Sequence, residues 1–326
     1  MNIIAYRMPY DTQKRIFSVG EAMDLTFIHQ TNGFVVHPFS PEKAGFFYPF
    51  LHKMDNIPDS IVEENAQNVQ FHDFNKEEYG RYIKEIVNSL NGNELKKVVA
   101  SRRKHINIKI SPDHLFHSLC EIFPESFVYV ISTKETGTWI GASPELLLGF
   151  TQGEYKSMAL AGTRKKTNFK VAWDFKNIRE QSIVTTHIEE ILRNKGLKIT
   201  HDATTTLKTG DIEHIMTMIY GSGASDIDII SFLNELSPTP ALAGNPRTEA
   251  MDLIKKWEGD RSYYGGFAGP IEKDGCFNFY VILRCSYLTP GRAILFAGGG
   301  ITSHSDISSE WEETERKFAN ILKIFS

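Results

Sequence analysis

The chain has 326 residues, 41% of them hydrophobic and 23% charged, with a formal net charge of -4. That length is enough to bury about three quarters of the unfolded surface. Acids and bases are interspersed, which argues against a nucleic-acid or membrane-surface partner but leaves room for a small anion held by a few local cations.

Cys120, Cys276 and Cys285 show no CxxC spacing, so neither a disulfide framework nor a zinc site is expected. A reducing cytoplasm fits that usage. The start, MNIIAYRMPYD, lacks the apolar run and small-residue cleavage site of a signal peptide. No apolar run reaches the roughly 18 residues that would span a bilayer.

Residues 1 to about 72 read as short strands and turns, with FVVHPF and AGFFYPFL as apolar pieces. Asn75 then precedes KEEYGRYIKEIVNSL, in which Tyr79, Tyr82, Ile83, Ile86, Val87 and Leu90 recur at helical spacing. The pattern predicts a helix capped by Asn75 and ended by Gly92. Leu95 to Arg102 follows as a strand, then a helix near 112–121, a strand at 126–132, a turn at Glu135–Gly137 and a strand entering GASPELLLGF. KSMALAG is strand-like and leads into a polar turn; a long helix then covers about 174–195. FNFYVILRCSYL and AILFAGGGI read as later strands, and a last helix runs from about 309 to 325. Hairpin-type turns between strands, with helices between longer runs, predict an α+β fold with mainly antiparallel sheets.

Several residues invite a chemical reading. In NIREQSIVTTHIEEIL, Glu180 lies three and four residues before Ile183 and Val184 and so points along the apolar stripe. A buried carboxylate needs a partner or a metal; an exposed first-turn position favoured by the helix dipole is the plainer alternative. The last helix carries Glu310, Glu313 and Lys317 on one face, with Ser308 or Ser309 as its cap. Two such carboxylates suit a hard cation such as Mg²⁺, or form a solvated face with an i,i+4 ion pair. The run Gly298-Gly299-Gly300 permits close backbone approach to an anion, or marks a turn or bulge. Arg284 interrupts an apolar strand, where it meets a buried anion or reaches the surface. Lys97 beside Val98 and Val99 is equally ambiguous. Glu145 adjoins an apolar run, and His214, with no HxxxH partner, reads as a satisfied core histidine.

The segments KVVASR, GASPELLL, LAGTR, REQSIV, EHIMTMIYG, PTPALAGNP, YYGGFAG, FYVILRCS, AGGGI and EWEETERKF occur in that order. Together they resemble the chorismate-utilising enzyme superfamily, which includes isochorismate, salicylate, anthranilate and aminodeoxychorismate synthases. The resemblance covers about residues 75–326; residues 1–74 look like a shortened N-terminal part. It implies a single large domain over 1–326, with two packed, mainly antiparallel sheets covered by helices. Within the superfamily the likeness is to isochorismate synthases. Lys97 matches the lysine that isochorismate and salicylate synthases use as a base towards water. Ala161 stands where aminodeoxychorismate synthases often carry a nucleophilic lysine. PTPALAGNP is similar to the PTPA segment of isochorismate synthases.

The resemblance implies Mg²⁺-dependent isomerisation of chorismate to isochorismate, by attack of water at C2 and loss of the C4 hydroxyl. Lys97 would deprotonate the water and Glu145 would protonate the leaving hydroxyl. Glu180 and Glu313 match the Mg²⁺ carboxylates, and Glu310 matches a position that holds metal-bound water. Tyr264 and Arg284 match residues at the enolpyruvyl carboxylate. Gly298 and Gly300 would offer N–H groups, Lys317 would add charge, and Gly162, Thr163 and His214 would line the ring. Water is a poor nucleophile and hydroxide a poor leaving group, so a neutral lysine and a protonated glutamic acid address both problems.

The family pattern also implies a cytoplasmic monomer without an obligatory glutamine amidotransferase subunit, with a general likeness to menaquinone rather than siderophore enzymes. Salicylate synthase is the alternative activity. A non-catalytic chorismate-binding protein is a third reading, against which the joint presence of Lys97, Glu145, Glu180 and Glu313 argues. Three residues depart from the family pattern: Gln181 replaces a His after the metal Glu, Ser237 a His before PTP, and Asn177 an acidic residue after Lys. Weakened metal binding or altered substrate positioning is the expected consequence.

Overall fold

A computed structural model describes residues 1–67, 69–92, 95–109, 111–167, 171–223 and 227–325. The strands are β1 (Ile3–Arg7), β2 (Arg15–Val19), β3 (Gly33–His37), β4 (Phe46–Lys53), β5 (Lys97–Asn107), β6 (Phe127–Thr133), β7 (Gly137–Ser143), β8 (Leu146–Thr151) and β9 (Glu154–Lys165). They continue with β10 (Lys198–His201), β11 (Thr205–Thr209), β12 (Ile212–Ser222), β13 (Gly244–Asn245), β14 (Phe267–Ile271), β15 (Phe277–Val281), β16 (Cys285–Thr289) and β17 (Arg292–Ile301). The helices are α1 (Ile61–Glu64), α2 (Lys76–Leu90), α3 (Pro112–Ile122), α4 (Phe175–Asn194), α5 (Ile229–Leu236), α6 (Arg247–Glu258) and α7 (Ile307–Leu322).

Every strand pairing among the described residues is antiparallel. One sheet runs β4–β2–β1–β6–β7–β16–β17–β5–β13. The other runs β4–β3–β14–β15–β8–β9–β12, with β10 and β11 both paired to the far side of β12. The expected α+β architecture of two packed antiparallel sheets is therefore present. The N-terminal strands complete both sheets, through β1 against β6 and β3 against β14.

An aromatic-rich core that includes Tyr48, Phe127, Trp139, Tyr280, Tyr287 and Phe296 draws residues from both sheets. Helices α1, α3 and α7 contact the first sheet, α4 contacts the second, and α2 and α6 pack on β5. The α2 cap forms as the sequence predicts: Asn75 Oδ1 accepts from the Glu78 N–H at 2.9 Å, and Glu78 Oε2 accepts from the Asn75 N–H at 3.1 Å. Its apolar stripe is buried at Tyr79, Tyr82, Ile83, Ile86 and Leu90.

Three local expectations change. The run FNFYVILRCSYL is not one strand: it breaks into β15 and β16, and Arg284 at the break has φ 44°. The reason is topological, because β15 pairs with β8 in one sheet and β16 with β7 in the other. GASPELLLGF likewise divides into β7 and β8, with Pro144 and Glu145 between them. The glycine run lies in the strand read from AILFAGGGI, as the end of β17 paired with β5, so the alternative of a turn there falls away. The last helix is capped by Asp306, which accepts from the Ser309 N–H at 2.9 Å, rather than by Ser308 or Ser309. Asp caps as well as Ser does, and the earlier start adds a helical residue at Ile307. Of the polar turn expected before α4, residues 168–170 lie outside the described residues.

Candidate active site

A cavity of about 300 Å³ is lined by every residue the resemblance assigned except Glu310. Lys97 opens β5, Gly162 and Thr163 lie in β9, His214 in β12, Gly298 and Gly300 in β17, and Glu313 and Lys317 on α7. Glu180 is on the second turn of α4 and its side chain is 13% exposed, so it is neither on the exposed first turn nor in the core. The buried stripe of α4 is carried by Val184, Ile188, Ile191 and Leu192 instead.

Glu145 is the buried acid of the site. Burial pushes its carboxyl from the ordinary 4.5 up to about 8, against an opposing pull from Lys97. Its Oε1 has no hydrogen-bond partner. Lys97, only 3% exposed, pairs instead with Glu180 Oε2 at 3.4 Å. Buried titratable groups of opposite type in one cavity are the ingredients of acid–base chemistry.

Arg284 and His214 form a second unit. Arg284 Nη2 donates to His214 Nε2 at 2.8 Å, and Nη1 donates to the Thr209 hydroxyl. His214 Nδ1 faces the Gly162 carbonyl at 3.0 Å and the Thr163 hydroxyl at 3.2 Å. Burial and then the Arg284 charge hold His214 down to about 3, so the ring is neutral. It accepts at Nε2 and donates from Nδ1. His214 is thus satisfied, as a core histidine would be, yet it also lines the cavity. Burial lowers Arg284 to about 10. Among the described residues no carboxylate is in ion-pair contact with it; Glu125 acts only from a distance. A cation in a protein wall without an acidic partner is a site for an anionic ligand.

The backbone around these groups is shaped to fit. A bulge in β9 falls at Gly162, because His214 pairs with Thr163 and Ile215 with Ala161. Gly162 has φ 73°, and a Cβ there would stand 3.0 Å from Asn177 Oδ1. That same oxygen accepts from the Thr163 N–H at 2.9 Å, so Asn177 ties the bulge to the start of α4. At Gly300 a Cβ would stand 2.6 Å from Lys97 Cε and 3.2 Å from Glu180 Oε2. A side chain at this position would crowd that ion pair.

Two carboxylates stand behind the glycine run. A Cβ on Gly299 would be 3.3 Å from Glu310 Oε2 and 3.5 Å from Glu313 Oε1. Glu313 pairs with Lys317 at 2.8 Å, the i,i+4 pair the spacing allowed. Burial opposes ionisation of Glu313, but Lys317 outweighs it and holds the carboxyl below its ordinary range. Lys317 Nζ also donates to the Gly298 carbonyl at 2.5 Å. Glu310 is 3% exposed and raised by burial; Ser305 donates to its Oε1 at 2.6 Å, while Oε2 is buried without a partner. Among the described residues no group of three or more His, Cys, Asp and Glu side chains forms a ready-made metal site.

Tyr264 is 4% exposed, stacks on Phe296 at 5.3 Å, and its hydroxyl would lie 3.0 Å from a Cβ at Gly298. Of the three departures, only Asn177 lines the cavity. Gln181 faces the sheet, donating to Thr185 at 2.9 Å and Thr217 at 2.8 Å. The Ser237 carbonyl accepts from Arg247 at 3.1 Å.

The cavity also contains residues that the sequence reading did not assign: Thr209, Lys176, Leu242 and Phe296. Lys176 was within reach, since it lies one turn before Glu180 on the same helix face. Thr209 carried no sequence signal. Behind the cavity, Glu258 is fully buried and receives Ser101 N–H at 2.8 Å, Tyr82 at 3.0 Å, Arg103 at 3.1 Å and Arg261 Nε at 2.8 Å. Burial opposes its charge, but Arg261 and Arg103 prevail and keep it ionised. Arg261 also donates to the carbonyls of Val99 and Leu242, both cavity residues, at 2.6 and 2.8 Å.

The fold and the arrangement of this cavity place the chain in a known class. Residues 51–326 match the family described as chorismate binding enzyme, and the chain belongs to that family. It is 29% identical over 281 residues to isochorismate synthase MenF of Bacillus subtilis, covering 82% of this chain and 59% of that protein. It is 29% identical over 245 residues to isochorismate synthase EntC of Escherichia coli, covering 71% of this chain and 63% of that protein. The chain thus spans about three fifths of the length of these curated relatives. Its fold matches the solved menaquinone-specific isochorismate synthase MenF of Escherichia coli with a TM-score of 0.85 at 18% identity, covering 100% of this chain and 89% of that one.

Proposed function

We propose that the protein is an isochorismate synthase that converts chorismate to isochorismate with Mg²⁺. The observation that carries this reading is the pairing of a buried, proton-holding Glu145 with a buried Lys97 in one cavity that also contains Arg284 without an acidic partner. Arg284 and Tyr264 bind the enolpyruvyl carboxylate. Gly162, Thr163 and neutral His214 border the ring, and His214 fixes the guanidinium that orients the substrate. Lys97 takes a proton from the attacking water, and Glu145 gives its proton to the departing hydroxyl. Gly298 and Gly300 present open backbone towards the substrate, with Lys317 adding positive charge.

Glu180, Glu310 and Glu313 suit a hard, oxygen-preferring cation. The unpartnered Glu310 Oε2 is a buried acceptor with nothing to accept from, which fits a cation or its bound water. Mg²⁺ held by Glu180 and Glu313, with Glu310 at its water, would neutralise the ring carboxylate of chorismate. The names of the relatives support an isochorismate synthase; its action in the cytoplasm as a single polypeptide without an amidotransferase, and the use of its product in menaquinone synthesis, belong to the same proposal. Residues 1–74 then complete the sheets of one catalytic unit rather than adding a second activity. Among the described residues no helix is long and apolar enough to cross a membrane.

The test is incubation with chorismate and Mg²⁺, with products separated by chromatography and identified by NMR, because the isomerisation leaves mass unchanged. Isochorismate is the expected product. Rapid release of salicylate and pyruvate would identify a salicylate synthase instead. Anthranilate formed from added ammonia, or no turnover with chorismate bound, would overturn the reading.

A further inference from the structure

Lys176 occupies an unusual position. It lies one turn before Glu180 on α4, lines the same cavity, and places its ammonium 3.5 Å from Glu310 Oε1. Glu180 and Glu313 also act on its charge. Its ion pair is to Glu310, while Glu180 pairs with Lys97 at 3.4 Å and Glu313 with Lys317 at 2.8 Å. Its side chain is 48% exposed, so a path to solvent is open. The backbone that carries it is fixed: Asp174 caps the helix by accepting from the Asn177 N–H at 2.9 Å, and Asn177 Oδ1 is held by the Thr163 N–H at 2.9 Å.

We propose that Lys176 is a built-in competitor for the divalent cation, its ammonium held by Glu310 at the edge of the site until the metal displaces it towards solvent. The inference rests on the metal reading given above. Without a cation, the lysine offsets the charge of Glu310, whose neighbours Glu180 and Glu313 already have lysine partners. When metal enters, its charge repels the lysine towards solvent, where its half-exposed side chain can go. The apparent metal affinity is then lowered by the fraction of molecules in which the lysine is already out of the way.

The experiment measures metal binding rather than turnover. Mn²⁺ binding to the full chain is followed by electron paramagnetic resonance, and Mg²⁺ binding by calorimetry, both without chorismate. Lys176→Gln and Lys176→Met should each bind about tenfold more tightly than the parent, as removal of a competitor occupying the site about nine tenths of the time requires. Lys176→Arg, which keeps the charge, should not tighten binding. Circular dichroism checks that each variant is folded, and two neutral variants guard against loss of either one. Parent-like or weaker affinity in both neutral variants overturns the competitor role and leaves the metal reading standing. No Mn²⁺ or Mg²⁺ binding by the parent or by any variant overturns the metal reading and this inference with it.

Discussion

Glu145 and Arg284 occupy adjoining crossings between the two sheets. The Val281 N–H donates to the Glu145 carbonyl at 3.0 Å, and the Ala142 N–H donates to the Arg284 carbonyl at 3.3 Å. At Glu145 the chain leaves β7 for β8, and at Arg284 it leaves β15 for β16. Where a strand changes sheets its regular alternation stops, and a side chain can be aimed into the gap between the sheets. The proposed acid and the proposed anion-binding cation are both placed by this device.

Arg284→Lys keeps the charge but loses the planar fork and the contact to His214. A charged hydrogen bond in such a place contributes about 1.5–3 kcal/mol, so catalytic efficiency should fall at least about tenfold. Steady-state kinetics with chorismate measure this, and an unchanged efficiency would remove Arg284 from the substrate site.

Glu145→Gln should lower turnover by roughly 10²–10⁴, the usual range for loss of a general acid, while chorismate affinity stays near the parent value. The parent rate towards isochorismate should fall as pH rises through about 8, where Glu145 loses its proton. Stability follows from the same shift. The folded value lies above the ordinary 4.5, so the unfolded chain releases this proton first, and stability declines as pH rises from about 4.5 to about 8. The glutamine variant should therefore be the more stable protein at pH 8, by on the order of a few kcal/mol. Denaturant melts of both proteins at pH 5 and pH 8 decide it; a less stable variant at the higher pH would contradict the buried-acid assignment.

Lys97→Ala should cost a comparable factor of roughly 10²–10⁴ in turnover. It also frees Glu180 from its ion pair at 3.4 Å. Chorismate should still bind, since Arg284 and the metal hold the dianion. Parent-like conversion in this variant would mean that another residue activates the water.

Chelation of divalent cations should abolish turnover, and added Mg²⁺ should restore it. Glu313→Gln should lose metal-dependent activity while remaining folded, because its partner Lys317 is only partly buried and can turn to solvent. Full activity of Glu313→Gln with Mg²⁺ would take Glu313 out of the ligand set.

Glu258→Gln tests the framework rather than the chemistry. Neutralising this buried carboxylate leaves Arg103 and Arg261 without their counter-charge. Loss of one partner from such a buried cluster costs about 3–5 kcal/mol. Thermal or denaturant unfolding should show a loss of that order, and a change below about 1 kcal/mol would mean that the cluster contributes little net stability.

Local sequence determined a good deal of this protein. The stripe from Tyr79 to Leu90 and the Asn75 cap fix α2 because helical period and capping depend on neighbours a few residues apart. The order of short motifs named the family, and all but one of the residues it assigned line the cavity. Other features lie beyond the reach of local pattern. The Arg284 break could not be read, because what interrupts the strand is a change of partner, from β8 to β7, and partners are chosen by residues far away in the chain. Thr209 and the Glu258 cluster carry no periodic signal; each acquires its role from a group brought to it by another element. The sequence alone also left Glu180, Arg284 and His214 divided between bland and chemical readings. Tertiary structure decided where they stand, because burial and charge neighbours are properties of a folded surface. In a folded chain a carboxylate on α4 can face a lysine on β5, 83 residues earlier, across 3.4 Å.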